Sequence, residues 1–236
     1  MYWEYYFLGI ILLPAILFSL YAQIKVKYNF NKYLEVHSKS GICANELVRM
    51  ILNQAGLTDV QIAQINGDPL NNYYDHSKKT IGLSYAVFGS SSISALGVAC
   101  HEAGHALQYA TNYVPIKLRN TLIPACNFIS TLLWPIIFIG LILNFADPST
   151  IFGKILLFSG IIFFGISVLI NLVTLPAEYN ASNRAIRLLD NMSVLDGEEL
   201  IGAKKVLRAA GLTYLAALAV SVLNLVRFLL VFRKRD

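Results

Sequence analysis

The residues best suited to chemistry in this 236-residue chain are His101, Glu102 and His105, which lie within five consecutive positions. In a helix, side chains at i and i+4 share one face about one turn apart, so His101 and His105 can reach the same metal ion. Glu102 then lies near the open position of that metal, where it can take a proton from metal-bound water and pass it to a leaving amine. Imidazole and carboxylate ligands suit zinc. The spacing therefore predicts one catalytic Zn²⁺ ion, with Glu102 as the general base.

A catalytic zinc site of this type takes three protein ligands, so one further side chain must come from elsewhere in the chain. Glu178 is the best-placed candidate, because an apolar hairpin separates it from His105 and returns the chain to the same side. Its alternative role is a solvated carboxylate or one paired with Arg184. Glu198 and Glu199 compete for the ligand role, but their polar surroundings are typical of a solvated helix start. We expect Glu178 to complete the metal site.

Long apolar blocks must help to position these residues. Of all residues 56% are apolar and 14% charged, against about 45–50% and about 25% in ordinary globular proteins. A helix of about 20 apolar residues spans the hydrocarbon core of a bilayer. Four blocks are long enough: Tyr5–Ile24, Leu122–Phe145, Ile155–Leu175 and Leu212–Phe232. The fourth carries Arg227 and is either a full span or a half-span, so three to four transmembrane helices are predicted.

Lysine and arginine positions predict the orientation of the chain, because cytoplasmic flanks carry the excess of these residues. They cluster in residues 25–120 and 176–211, whereas the connection 146–150 carries only Asp147. Both clusters are therefore expected in the cytoplasm of a multi-pass protein of the cell (inner) membrane. The basic tail Arg233-Lys234-Arg235 contradicts this rule if the fourth block crosses completely.

The net charge of +5 predicts attraction to anionic membrane lipid. No basic-aromatic pattern indicates nucleic-acid binding.

The first polar stretch has the pattern of a small α+β domain. Spaced apolar residues predict a helix from Ser40 to Ala55, and Val60–Ile65 and Thr80–Ser84 are predicted as short strands that form a hairpin or two-stranded edge. Serines 90–92 offer N-caps for a helix that contains the histidines and ends at about Thr111.

The predicted organisation of the whole chain has five parts. They are an anchor (1–24), a catalytic domain (25–120), a transmembrane hairpin (121–175), a third-ligand region (176–211) and a C-terminal span or half-span with a basic tail (212–236).

Two segments carry a family resemblance: Ala95 to Gln108 around the histidines, and Leu175 to Ser182 around Glu178. With the order of spans and the basic tail, they resemble the bacterial YugP-type membrane-bound neutral zinc metallopeptidases over nearly the whole chain. The Glu-x-x-Ala element at Glu178 is more distantly similar to the third-ligand motif of HtpX-like membrane proteases.

The resemblance implies a mainly α, polytopic membrane protein with a small α+β, zincin-like catalytic domain that contains a short β-hairpin. It also implies that His101, His105 and Glu178 bind zinc and that Glu102 is the general base.

These observations together predict a membrane-embedded zinc metalloendopeptidase that acts on protein or peptide substrates, membrane-associated ones included. An extended substrate is expected to pair with residues 80–84 as an added strand. Two alternatives are a non-catalytic membrane scaffold with a structural metal site, and a zinc hydrolase acting on another type of bond. Five side chains are candidate donors to the tetrahedral oxyanion: Tyr73, Tyr74, His76, Tyr179 and Arg184.

Overall fold

Helices form most of the described chain, which confirms the mainly α fold class. The computed structural model describes residues 10–146 and 151–233. The helices are α1 (Leu13–Leu34), α2 (Ala44–Gln54), α3 (Tyr85–Phe88), α4 (Ile93–Ala110), α5 (Val114–Ala146), α6 (Ile151–Asn191) and α7 (Gly197–Arg233), and the strands are β1 (Gln61–Ile65), β2 (Tyr73–Asp75) and β3 (Thr80–Ser84). Three parts of the predicted segments lie outside the described residues: 5–9 of the first span, 147–150 of the connection and 234–236 of the tail.

Helix α4 begins and ends at local signals, close to its predicted bounds. Ser92 is the N-cap, and its hydroxyl accepts a hydrogen bond from the backbone N–H of Ala95 at 3.2 Å. After the helix the chain turns at Asn112, whose φ of 54° lies in the left-handed region that asparagine tolerates. Pro115 then falls in the first turn of α5, where its missing N–H costs no helical hydrogen bond. One helix therefore carries both histidines and Glu102.

The sheet differs from the predicted two-stranded arrangement. Strands β1 and β3 pair in parallel, and β2 pairs with β3 in the antiparallel direction, which gives the order β1-β3-β2. The hairpin is therefore formed by β2 and β3. In its turn, Asp75 Oδ1 accepts a hydrogen bond from the backbone N–H of Lys78 at 3.0 Å, and Lys79 has a φ of 48°. Because β3 is the central strand, β1 covers one of its edges along Thr80–Ser84 and β2 covers the other along Thr80–Gly82. An added substrate strand therefore has no free edge along the whole of Thr80–Ser84.

The long helices continue beyond the apolar blocks into polar sequence. Helix α6 runs through Pro176 to Asn191, and α7 begins at Gly197, well before the fourth apolar block. Among the described residues, two stretches are long and apolar enough to cross a membrane: Phe158–Asn191 and Gly197–Leu230. Only 17% and 22% of their most apolar windows are buried inside the protein. The first and second predicted spans stay predictions.

The described chain forms two compact units. The apolar unit contains the described parts of Met1–Tyr21, Leu118–Leu175 and Tyr214–Asp236, and the polar unit contains Ala22–Lys117 and Pro176–Thr213. Within the apolar unit, α6 and α7 pack closely at Gly160, because a Cβ there would lie 2.2 Å from the ring of Phe228.

The polar unit has its own hydrophobic core. Large buried side chains come from α2, β3, α4 and α6: Leu47, Ile51, Ile81, Leu83, Leu96 and Leu189. Where α4 faces α6, the buried residues are small instead: Ala99, Ala103, Ala181 and Ala185. Small side chains let two helices approach closely, so the part of α6 that follows Pro176 packs against the histidine-bearing helix.

Candidate metal centre

Three of the predicted site residues meet in the polar unit. Nε2 of His101 lies 3.2 Å from Oε2 of Glu178, and Nε2 of His105 lies 3.5 Å from the same oxygen. The candidate ligand atoms of all three residues lie within 4.8 Å of one another. Zinc bonds of about 2.0–2.1 Å place neighbouring ligand atoms of a tetrahedral site about 3.3 Å apart. The group therefore has the donor types and nearly the spacing that a single zinc ion requires.

The backbones of α4 and α6 approach closely beside this group. A Cβ at Gly104 would lie 2.8 Å from the carbonyl oxygen of Ala181, closer than a side-chain carbon can remain without a shift of the backbone. Gly104 directly precedes His105, and Ala181 follows Glu178 by one helical turn. The missing side chain at Gly104 thus sets the distance across which the histidines reach Glu178.

We expect Gly104→Ala to destabilise the polar unit, because the new methyl group would push the Ala181 backbone away from α4. Overpacking of this kind costs about 1–3 kcal/mol, which thermal unfolding of the full chain in detergent would detect as a lower Tm. Gly97→Ala on the same helix is the matched control, since a Cβ there meets Ala203 at an ordinary 3.7 Å. Alanine is favoured over glycine inside a helix by about 0.5–1 kcal/mol. A Gly104→Ala protein as stable as Gly97→Ala would contradict the close approach.

A hydrogen-bond network places a proton on Nδ1 of His105. The Gln108 side-chain amide donates to the carbonyl oxygen of Ala177 at 2.7 Å and to Oδ1 of Asn180 at 3.0 Å. Its Oε1 is left as an acceptor, so the contact of 3.0 Å with Nδ1 of His105 requires a proton on that nitrogen. A neutral His105 ring then presents an unprotonated Nε2 towards Glu178, which is the form that binds a metal.

His101 has a comparable partner on α6. Its Nδ1 lies 3.1 Å from the hydroxyl oxygen of Ser182, one helical turn after Glu178. When the hydroxyl accepts from Nδ1, Nε2 of His101 is also unprotonated and faces Glu178. Both rings are therefore oriented from behind by polar side chains, as metal-binding histidines commonly are.

The charge around His105 is negative. Glu178 is 2% exposed and Glu102 is 7% exposed, so both carboxylates lie in the protein interior. Burial opposes protonation of His105, but the hydrogen bond and charge of Glu178 outweigh it, the charge of Glu102 adds to this, and the pKa of His105 is raised. A positive charge at this position, whether a proton or a metal ion, is thus stabilised.

Glu178 is not paired with Arg184, and its competitors Glu198 and Glu199 do not lie with the histidines. Arg184 donates through Nε to Oδ1 of Asn180 at 2.9 Å and through Nη2 to Oγ1 of Thr111 at 3.1 Å, rather than to Glu178. Glu199 accepts from the backbone N–H of Lys39 at 3.1 Å. Together with Glu198 it lines a cavity at the start of α7 that includes neither histidine.

Three aromatic rings form contacts between strand β2 and helix α4. His76 stacks on Tyr109 with ring centroids 3.8 Å apart, and the Tyr74 hydroxyl lies 3.4 Å from Nδ1 of His76. Tyr109 is one helical turn after His105 on α4, so these rings continue the face that carries the histidines. Burial raises the pKa of Tyr74, which keeps its hydroxyl protonated as a donor. Of the five oxyanion candidates, Tyr179 lines a separate cavity among basic residues.

Residues 8–233 match a family model described as "Putative neutral zinc metallopeptidase". The chain belongs to this family. It is 40% identical over 221 residues to "Putative membrane protease YugP" of Bacillus subtilis (strain 168), and the similarity covers 93% of this chain and 94% of that relative. No solved structure matches the chain. Membership of the zinc metallopeptidase family confirms the resemblance seen in the sequence, and the two imidazoles and one carboxylate are a donor set that fits zinc.

The residues that orient the histidines, Gln108 and Ser182, were not predicted from the sequence. Gln108 follows His105 by three positions, a spacing that places both on one face of α4, and Ser182 follows Glu178 by four on α6. The signal was therefore present as polar residues at helical spacing from each candidate ligand. Ser182 contacts His101 on the opposite helix, and the amide group of Gln108 is held by Ala177 and Asn180 of α6, so only the packing of α4 against α6 shows these contacts.

Proposed function

We propose that this chain is a membrane-embedded zinc metalloendopeptidase. The observation that carries the proposal is the convergence of His101, His105 and Glu178 beside the buried carboxylate of Glu102, in a chain of the neutral zinc metallopeptidase family. Among the described residues three ligands come together, and a tetrahedral zinc ion would keep a fourth position for water or substrate. That arrangement is typical of catalytic zinc sites, whereas structural sites are closed by four protein ligands.

In this proposal His101, His105 and Glu178 hold one Zn²⁺ ion. When bound, the ion supplies Lewis-acid chemistry, which polarises the scissile carbonyl and makes water more acidic. Gln108 and Ser182 hold the two imidazole rings with Nε2 directed to the ion. The carboxylate of Glu178 contributes one negative charge to a buried cation that would otherwise be costly to desolvate.

Glu102 is the proposed general base. Its carboxylate takes a proton from the water that attacks the peptide carbonyl and later gives that proton to the amine as the C–N bond breaks. The water oxygen ends in the new carboxyl group, and Glu102 returns to its ionised form. The buried position of Glu102, with its charge close enough to act on His105, supports this role.

A peptide substrate would pair with the outer edge of β2 instead of β3. Strand β2 is an edge strand of the sheet, and backbone pairing to such an edge is a common way to bind extended peptides. Tyr74 on β2 and His76 after it contact Tyr109, which lies on the same helix as the histidines. Tyr74 is accordingly the proposed donor to the oxyanion among the five candidates.

We further propose that the protein is a multi-pass membrane protein with the polar unit in the cytoplasm. The relative in Bacillus subtilis is named a membrane protease, and two helical stretches here are long and apolar enough to span a bilayer. The excess of lysine and arginine in residues 25–120 and 176–211 supports the cytoplasmic side.

Replacing Gln108 by Leu should weaken zinc binding about 10–100-fold, the usual effect of removing a group that orients a metal-binding histidine. Leucine has a similar size but leaves Nδ1 of His105 without its acceptor. Competition with a fluorescent zinc chelator measures the affinity. Arg184→Gln is the control, because it alters the same network one residue further out, at Asn180. Equal zinc affinity of the Gln108→Leu and wild-type proteins would show that Gln108 does not contribute to zinc binding.

Cleavage of an unfolded protein substrate by the purified full chain tests the proposed activity. We expect cleavage that stops after treatment with a zinc chelator and returns when zinc is added back. Zinc bound at one ion per chain without any hydrolysis would favour the non-catalytic scaffold. Hydrolysis of esters alone would favour a zinc hydrolase of another bond, and proteolysis that survives complete metal removal would overturn the proposal.

A further inference from the structure

A second cavity lies in the polar unit, and none of the three candidate zinc ligands lines it. It has a volume of about 490 Å³, within the range of about 300–1,000 Å³ that small-molecule sites occupy. We name it the basic cavity after three of its lining residues: Lys25 of α1, and Lys205 and Arg208 of α7. Tyr179 of α6 also lines it, so adjacent residues, Glu178 and Tyr179, serve separate sites.

The charge of the basic cavity is one-sided. Its lining includes three cationic side chains and no carboxylate, and Asn29 and Tyr179 add polar groups that can form hydrogen bonds. A larger neighbouring cavity, at the start of α7, is different because its lysines face three acidic residues: Asp196, Glu198 and Glu199. Lys205 lines both cavities, whereas Lys25 and Arg208 line the basic cavity alone. Positive charges that line one cavity attract an anion to it. The basic cavity therefore has the electrostatics of an anion site.

The position of the basic cavity along its three helices indicates the source of the anion. Lys25 directly follows the first apolar block, and Leu212, which also lines the cavity, is the first residue of the fourth block. Tyr179 follows the third block, which ends at Leu175, by about one helical turn. Each helix thus contributes residues at the point where its sequence changes from apolar to polar. In a membrane protein this level is the lipid headgroup region, where basic residues meet phosphate.

We propose that the basic cavity binds the phosphate-bearing headgroup of an anionic phospholipid. Lys25, Lys205 and Arg208 bind the phosphate, and the Tyr179 hydroxyl donates to a phosphate or headgroup oxygen. Leu212 offers an apolar surface where the glycerol and acyl chains begin. This site is independent of the proposed peptidase activity and requires only that the protein associates with a membrane.

Binding of a tail-labelled fluorescent phosphatidylglycerol to the full chain in neutral detergent tests the proposal. We expect saturable binding that unlabelled phosphatidylglycerol displaces and phosphatidylcholine displaces at least tenfold less well. The variant Lys25→Gln/Arg208→Gln should bind about 30-fold more weakly, because each basic residue near a membrane surface contributes about 1 kcal/mol. Arg208→Gln alone, at an exposed position, serves if the double variant does not fold.

Lys27→Gln/Lys204→Gln is the matched control. It removes two positive charges from the same two helices, at positions that do not line the cavity, and should bind phosphatidylglycerol as the wild type does. Equal loss in both double variants would show that overall charge, and not the basic cavity, attracts the lipid, and would overturn the site. Equal displacement by phosphatidylcholine would overturn headgroup recognition. Displacement by submillimolar inorganic phosphate would overturn the lipid source and assign the cavity to soluble phosphate groups.

Discussion

Replacing Glu102 by Gln is expected to leave one zinc ion per chain and to lower kcat by about 10²–10⁴-fold, the usual contribution of a general base. Glutamine has the size and shape of glutamate but cannot take a proton from the attacking water. Glu102 is buried beside His105, so its contact surface is retained in the variant. Zinc content by elemental analysis and initial rates of protein cleavage are the two measurements.

Glu198→Gln is the matched control for this experiment, because Glu198 is exposed in the first turn of α7. It makes the same chemical change away from the candidate metal centre and should leave kcat unchanged. A Glu102→Gln enzyme that cleaves at the wild-type rate would show that another group accepts the proton. Loss of zinc from the same variant would instead make Glu102 a ligand.

Removing the carboxylate of Glu178 should abolish zinc binding, with a loss of affinity larger than the 10–100-fold that follows removal of an orienting group. Both histidine Nε2 atoms face Oε2 of Glu178, so the variant loses a ligand and also the negative charge that offsets burial of the cation. Glu178→Gln keeps the side-chain size, and Glu178→Ala removes it. Zinc stoichiometry after dialysis measures the effect, and circular dichroism shows that the helices remain.

Glu198→Ala and Glu199→Ala are the controls for the Glu178 variants, since these carboxylates are the competing candidates for the third ligand. Both line the cavity at the start of α7 and should keep full zinc content. If Glu178→Ala kept its full zinc content and either control lost zinc, the third ligand would be Glu198 or Glu199 of α7.

The sequence predicts α4 and its histidine pair well because the signals are local. The serine N-cap, the i, i+4 histidine pair and the turn after Ala110 all belong to one helix and its two ends. The extent of α6 and α7 is less predictable, since apolar blocks indicate only the part of a helix that avoids water. The structure continues α6 through Pro176 into polar sequence, and that extension carries Glu178.

The sheet was predicted less completely because its order depends on contacts between distant residues. Strand β2 has only three residues, too few for a clear alternating pattern. The turn between β2 and β3 contains no glycine, proline or asparagine, and relies on Asp75 and on a positive φ at Lys79. Parallel pairing of β1 with β3 then places β3 in the centre of the sheet.

The separation of the site residues along the chain also determines when activity can arise during synthesis. His101 and Glu178 are 77 residues apart, and Gly104 must meet Ala181 before the two helices can close. At about 5–20 residues per second, translation needs about 4–15 s to pass from the first ligand to the last. Throughout that interval the nascent chain carries the histidines and Glu102 without Glu178. The candidate zinc site therefore cannot be complete on a ribosome-bound fragment that ends before Glu178.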